Sequence, residues 1–168
     1  MKIKQRHFIR KSEIKPLKDE ILRQYNQKFV DQIFPKKSNV EVIETEAGDT
    51  LYAINNVLKL WKSAEGYIPV LTLLLNNQVE LKTIVVDFGA VRYVTNGADI
   101  MRPGITKIDP SIKKGDIVAI KEETKSRALA IGKAMFDAPE MQKKSSGKVI
   151  KNIHTIQDTV WEFEKQFT

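Results

Sequence analysis

The chain has 168 residues, no cysteine, 42% hydrophobic residues and a formal charge of +7. That length holds one large domain or two small ones, and the apolar content belongs to a folded globule rather than a disordered segment. The missing cysteine excludes disulfides, thiolate catalysis and cysteine-ligated metal centres, while the basic balance favours a polyanionic partner without choosing between nucleic acid and a membrane surface.

The opening MKIKQRHFIRK has no apolar core of a secretory signal, and no apolar run approaches the ~18 residues of a spanning helix. A cytoplasmic protein with no membrane partner is expected. Lys2 to Ile9 alternates loosely, as a strand does. Ser12 is a candidate N-cap with Glu13 in the first turn. Ile14, Leu17, Ile21, Leu22 and Tyr25 then follow helical spacing. Pro16 is tolerable there if it falls in the first turn, and the helix should fade near Asn26 to Phe29.

This opening concentrates the charge. Residues 1–40 carry 11 Lys and Arg against 4 acids, residues 41–82 carry 3 against 6, and residues 83–168 carry 14 against 11. Lys2, Lys4, Arg6, Arg10 and Lys11 therefore form a candidate phosphate-facing patch. The competing reading is a solvated helix face with pairs such as Asp19–Arg23.

Asn39 to Thr45, Thr50 to Ile54, Val57 to Lys62 and Tyr67-Ile68 read as short strands. Turns at Ala47-Gly48-Asp49, Asn55-Asn56 and Glu65-Gly66 make them a meander. Pro69 to Leu75 is a short helix that closes this part. From Thr83 the pattern changes to short strands and tight turns. Thr83 to Asp87 is a strand. Gly89 to Thr95 makes one or two helical turns that end at Asn96-Gly97, a left-handed C-cap. Ile117 to Lys121 and Arg127 to Phe136 are strands, the second with Gly132 as a bulge. Ser145 to Gly147 is a flexible link, Lys148 to Ile153 a strand ending at His154, and Asp158 caps a last helix, TVWEFEKQF.

The runs VVDFGAVRYVTNGADIMRPGITKID, KKGDIVAI, ALAIGKAMF and GKVIKNIHTIQD resemble a PUA domain, the RNA-binding pseudobarrel named for pseudouridine synthases and archaeosine transglycosylases. The half before them looks like the pre-PUA domain of archaeal proteins similar to the malignant T-cell-amplified-sequence family. The resemblance implies an α+β chain: an N-terminal α/β meander domain over residues 1–82, then a PUA-type β pseudobarrel with a C-terminal helix over 83–168. It also implies a structured RNA partner, the acceptor end of tRNA or rRNA, and a role in initiation, reinitiation or recycling on the small ribosomal subunit. A density-regulated-protein-like partner goes with that role. Carried over by motif, the RNA surface would comprise Arg92, Thr95, Asn96, Gly97, Ala98, Met101, Arg102, Pro103 and Gly104. Lys133, Met135, Lys151 and His154 would join it from later strands.

The residue chemistry is compatible with this. Gly97 and Gly104 let an RNA backbone approach closely, although a C-cap and a turn alone also require them. Arg102 can meet phosphate or stack on a base, or pair with Asp99 or Asp87; the resemblance favours RNA, so Arg102→Ala should weaken RNA binding without unfolding the chain. Tyr93 is expected in the core and left outside the site. Met101 and Met135 are more commonly core filling. His7 and His154 lie in different halves with no ligand-spaced partner, so neither a metal nor a cofactor is expected. Asp87, Asp99, Asp109 and Asp116 each sit at a turn, where Asp bonds backbone. No nucleophile elbow, Walker loop or zinc-protease helix is present, so no enzymatic activity is expected. Two other readings remain open: a protein-interaction adaptor, and an RNA-specificity subunit for a separate modifying enzyme.

Overall fold

The computed structural model describes residues 1–168. The first half runs β1 (Ile3–Phe8), α1 (Lys11–Gln24), α2 (Gln27–Ile33), β2 (Val40–Thr45), β3 (Thr50–Ile54), β4 (Val57–Ser63), β5 (Gly66–Pro69) and α3 (Leu71–Leu75). The strands form one antiparallel sheet in the order β1-β2-β3-β4-β5. Asn55 and Asn56, both at positive φ, turn β3 into β4. Asn is among the few side chains that tolerate this region.

Arg10, not Ser12, is the N-cap of α1, and the Glu13 carboxylate accepts its backbone N–H at 2.8 Å. Pro16 therefore lies inside the helix and withholds the donor that the Ser12 carbonyl would receive. Where the helix was expected to fade, the Asn26 side chain accepts from Phe29 N at 2.9 Å and starts α2. That helix buries Phe29, Val30 and Ile33 beside Leu17 and Ile21 of α1.

The second half contains β6 (Thr83–Val86), a 3-10 turn at Phe88–Ala90, α4 (Val91–Thr95), β7 (Ile100–Met101), a second 3-10 turn at Arg102–Gly104 and β8 (Ile105–Ile108). It continues with β9 (Ile117–Glu122), β10 (Ala128–Ala134), α5 (Ala138–Lys143), β11 (Lys148–Thr155) and α6 (Thr159–Gln166). Its sheet order is β7-β11-β10-β9-β6-β8, with β6 parallel to β9 and the other pairs antiparallel. The sheet curls into a nearly closed pseudobarrel around Ile84, Val86, Ile100, Val118, Ile120 and Ile150. This is the α+β architecture that the resemblance implied. Helix α5 falls just before the stretch expected to be a plain link.

The register between β10 and β11 shifts at Ile131/Gly132, the expected bulge. A Cβ on Gly132 would lie 2.6 Å from Ile150 Cγ2 and 2.7 Å from the Lys151 carbonyl oxygen, so only glycine fits. The bulge lets β10 face two cores. Ile131 and Ala128 join the first-half core, whereas Leu129, Ala130 and Ala134 line the barrel. β9 divides the same way, with Ile117 and Ala119 on one side and Val118 and Ile120 on the other. A strand buried on both faces needs an unbroken apolar run, and IVAI supplies it. The last helix also returns to the first core through Val160 and Phe163, although it follows the barrel in sequence. No helix is long and apolar enough to cross a membrane.

Candidate nucleic-acid interface

α4 is five residues long and only Val94 of it is buried. The 3-10 turn that leads into it is capped by Asp87, whose carboxylate accepts from Ala90 N at 2.9 Å. The end of α4 is a complete Schellman closure: Gly97 N donates to Val94 O and Ala98 N to Tyr93 O, both at 3.0 Å, with Gly97 at φ +91°. Asn96 is the C-cap itself at φ −87°, so the left-handed residue of the pair is Gly97. With Val94 inward, Arg92 and Tyr93 point out. Tyr93 is 55% exposed, which overturns its assignment to the core. Arg92 lies over the Tyr93 ring, 4.9 Å from its centroid, and donates to the Tyr93 hydroxyl at 2.9 Å.

Opposite α4, Ile100 and Met101 pair with Ile150 and Lys148 of β11. Alternation buries Ile100 and turns Met101 outward, 47% exposed. Between the two elements lies an open groove of about 730 Å³, walled by Tyr93, Gly97, Ala98, Met101, Pro103 and Gly104, with Asp99 and Lys148 at one end. Thr95 turns its hydroxyl back to the Val91 carbonyl at 3.0 Å and offers little to a ligand. Met135, also exposed, belongs to a neighbouring groove of about 850 Å³ that shares Asp99 and Lys148 with the first.

Four expected contacts are otherwise engaged. Arg102 pairs with neither Asp99 nor Asp87. It is half-buried, donating through Nε to the Met141 carbonyl at 2.9 Å and through Nη1 to the Ile105 carbonyl at 3.2 Å. It fastens α5 to the second 3-10 turn. Lys133 and Lys151 both reach Glu65, at 2.9 and 2.6 Å. His154 is 1% exposed; its Nε2 accepts from Leu71 N at 3.0 Å and its Nδ1 meets Asp158 at 2.7 Å. Those partners fix the tautomer with the proton on Nδ1. His154 is a joint between the halves and offers no surface to RNA. Asp158 is its carboxylate partner, contrary to the expectation from spacing that His154 has none.

The four aspartates do what turn aspartates do. Asp87 caps the first 3-10 turn, Asp109 accepts from Ser111, Asp116 accepts from Lys113 N at 2.9 Å and pairs with Lys82, and Asp99 accepts from Asn152 N at 2.9 Å. No three metal-ligating side chains converge anywhere. No sequence motif singles out Asn152, yet its Nδ2 donates to Val94 O at 3.0 Å and Ala98 O at 2.9 Å, holding the glycine turn in shape.

The expected patch on β1 is dispersed. Arg6 grips Glu41 with both Nε and Nη2, at 2.7 and 2.9 Å, and lies over Phe167. The Arg6 hydrogen bond holds the Glu41 carboxyl below its usual range, against the burial that would raise it. Lys2 lies 3.8 Å from Glu46. Lys4 and Arg10 are exposed without an ion pair. Lys11 of that patch instead lines, with Lys15, Lys18, Lys36 and Lys37, a groove of about 700 Å³ with no acid in its lining, although Lys15 Nζ lies 3.3 Å from Asp19. Spacing i, i+4, i+7 sets the first three on one helix face, and the loop after α2 brings the other two to it.

The Pre-PUA-like domain model matches residues 1–77 and the PUA domain model residues 82–156. An uncharacterized protein of Methanocaldococcus jannaschii is 35% identical over 98% of this chain and 99% of its own length. Translation machinery-associated protein 20 of Saccharomyces cerevisiae is 33% identical, covering 94% of this chain and 92% of that protein. Malignant T-cell-amplified sequence 1 of Rattus norvegicus is 33% identical over 91% and 87% of the two chains. A crystal structure of a hypothetical protein from Pyrococcus horikoshii superposes with a TM-score of 0.82 at 31% identity, covering 95% of this chain and 99% of that one. The chain belongs to the pre-PUA and PUA family that includes translation machinery-associated protein 20 and the malignant T-cell-amplified sequences.

Proposed function

We propose that this chain is a non-enzymatic RNA-binding protein of the translation apparatus. It takes tRNA or rRNA in the α4–β7 groove and acts on the small ribosomal subunit in initiation, reinitiation or recycling. Residues 1–82 serve as the pre-PUA half and 83–168 as the PUA half, with α6 lent back to the first core. One observation carries the reading: two exposed side chains with flat or soft apolar faces, Tyr93 and Met101, stand across a groove whose rim is backbone at Gly97, Ala98 and Gly104. An unstacked base needs an apolar face, and a phosphate needs a nearby cation such as Arg92 or Lys148. Gly97 N and Ala98 N already donate within the helix closure, so the glycine rim contributes close approach rather than free donors. The names of the yeast and rat relatives support a place in translation. The lysine groove beside α1 supplies a second contact with the same RNA or its assembly.

A protein partner has its own support. β1 is an edge strand paired only with β2, and it exposes Ile3 and Phe8, the latter at 60%. Such an edge accepts an added strand from a density-regulated-protein-like chain.

Binding of tRNA and of small-subunit rRNA fragments, measured by filter retention across a salt series, tests the function. Tyr93→Ala with Met101→Ala is expected to weaken binding by roughly 10- to 100-fold, the loss of about one or two stacked bases, with an unchanged thermal melt. Wild-type affinity in that variant rejects the groove as the RNA site.

A further inference from the structure

Glu65 sits on the turn between β4 and β5, outside the barrel, yet it ends on two barrel lysines. Lys133 of β10 and Lys151 of β11 are register partners on neighbouring strands. Lys133 Nζ lies 2.9 Å from Glu65 Oε2, and Lys151 Nζ lies 2.6 Å from Glu65 Oε1. One oxygen per ammonium is how a two-cation site holds a carboxylate or a phosphate.

The lysines do not need this partner to be solvated, because their side chains are 36% and 56% exposed. The pair faces the groove that carries Met135, and Lys114 and Lys148 line that groove too. Lys114 has no acidic partner for its ammonium, and Lys148 only a 3.4 Å approach to Asp99. Asp99 and Lys148 also belong to the α4–β7 groove, so the two grooves form one continuous track. Four lysines along it face three acids, Asp87, Asp99 and Glu65, and Glu65 comes from the other half of the chain. The two lysines hold the Glu65 carboxyl down to about 2, and Glu65 in turn raises Lys151. The carboxylate therefore stays charged across the working pH range and remains a constant competitor for any anion entering the track.

We propose that Lys133 and Lys151 form a phosphate-binding subsite for an RNA backbone, and that the Glu65 carboxylate occupies it in the free protein and yields it to a phosphodiester when RNA runs along the track. The proposal rests on the RNA-binding reading of the α4–β7 groove and adds to it the path that the strand takes. A phosphodiester presents two unesterified oxygens and one negative charge, the same count as the carboxylate it replaces. Lys114 and Lys148 flank it and favour the longer polyanion, which brings several phosphates at once.

The sign of the test is unusual for an ion pair between two halves of a chain. Glu65→Gln keeps the shape, removes the competing charge and frees both ammonium groups. RNA affinity in the full chain is expected to rise by roughly threefold to tenfold, and the slope of log K against log salt to steepen by about 0.7 to 0.9 per phosphate gained. Glu65→Ala should do the same, which guards against a folding defect peculiar to one variant. Adding Lys133→Gln and Lys151→Gln should cancel the gain. A contact that merely clamps the halves together predicts the opposite, a lower melt with equal or weaker RNA binding, and that result overturns the proposal while wild-type RNA binding stands. If neither wild type nor Glu65→Gln retains RNA at low salt, the RNA-binding reading itself falls and takes this subsite with it.

Discussion

The backbone N–H of Asn152 donates to Asp99 Oδ1 at 2.9 Å, and this bond ties the middle of β11 to the strand entry of β7. The Asn152 side chain then donates to Val94 O and Ala98 O, so one residue sets the distance between α4, the glycine turn and β11. The shape of the groove follows from that frame. Its facing groups, Tyr93 and Met101, lie on either side of the turn that Asn152 holds.

Asn152→Ala should therefore act on both stability and binding. Ala98 O loses its side-chain donor and Val94 O is left with the Gly97 N–H alone, at a cost of about 1–2 kcal/mol. RNA affinity should fall as the turn loosens, although Asn152 itself need not touch RNA. Asn152→Asp should be worse than alanine, because it aims a charged acceptor at two carbonyls and adds a second carboxylate near Asp99. Chemical denaturation paired with RNA titration checks the order; aspartate better tolerated than alanine contradicts it.

Arg102 invites a similar separation. Its guanidinium serves Met141 O at the C-terminal end of α5, which otherwise receives only the cap N–H of Lys144 at 3.2 Å, and Ile105 O at the start of β8. Removing a charged donor from half-buried carbonyls costs about 1–3 kcal/mol. Arg102→Ala should lower the melt by several degrees, at about 2–4 °C per kcal/mol for a chain of this size. Arg102→Lys should recover only part, because a single ammonium cannot span both acceptors as the planar fork does. An unchanged melt together with abolished RNA binding would restore Arg102 to the surface role that the motif alone suggested.

Local signals in the sequence were readable, and long-range ones were not. The turns of the meander, the closure at Gly97 and the cap at Asp158 all depend on residues within a few positions of one another, and the structure contains each. The bulge at Gly132 showed as a lone glycine in a strand pattern, although the atoms that require it lie on β11. α2 and α5 are two turns or fewer and give little periodicity to read. Asn26 and the Asp137-Ala138-Pro139 start were the available cues. The site residues that changed meaning were claimed from far away in sequence. Lys133 and Lys151 are held by a glutamate 68 and 86 positions distant, and His154 by a backbone N–H 83 positions distant. Tyr93 was legible in principle: once Val94 is the inward residue of a five-residue helix, its neighbour faces out.

The relocated cation cluster gives a charge prediction. Lys36→Glu with Lys37→Glu reverses two charges in a groove lined by five lysines and no acid. RNA affinity should drop by at least tenfold at low salt, and the salt slope should shrink by about 0.7 to 0.9 for each phosphate that the groove no longer holds. Both side chains are exposed, so the melt should stay within about 1 kcal/mol of wild type. Lys2→Glu with Lys4→Glu on β1 is the control, expected to cost less, because Lys2 already has Glu46 beside it. Equal losses in the two double variants would return the second RNA contact to β1.

The relay through His154 makes one contribution to the acid sensitivity of the fold. Leu71 N–H donates to Nε2, so Nδ1 carries the proton and needs an acceptor, which Asp158 provides. Burial pushes the Asp158 carboxyl up, but the His154 hydrogen bond and the N–H groups of Trp161 and Thr155 outweigh it and hold the group below its usual value. A carboxyl whose folded value is depressed contributes stability above its unfolded value of about 4, and that contribution disappears as pH falls through the folded value. Thermal melts of the wild type should therefore be flat from neutral pH down to about 5 on account of this group, then fall as the solution becomes more acid. Asp158→Asn removes the charge, and its amide cannot serve both sides. Pointing NH2 at Nδ1 forces the imidazole proton onto Nε2, where it meets the Leu71 N–H. Pointing oxygen at Nδ1 turns NH2 toward the Trp161 N–H that the carboxylate accepts at the start of α6. The variant should lose about 1–3 kcal/mol at neutral pH and show a shallower acid transition than wild type. A melt that matches wild type at both pH 7 and pH 4 would mean that the relay does not join the two halves.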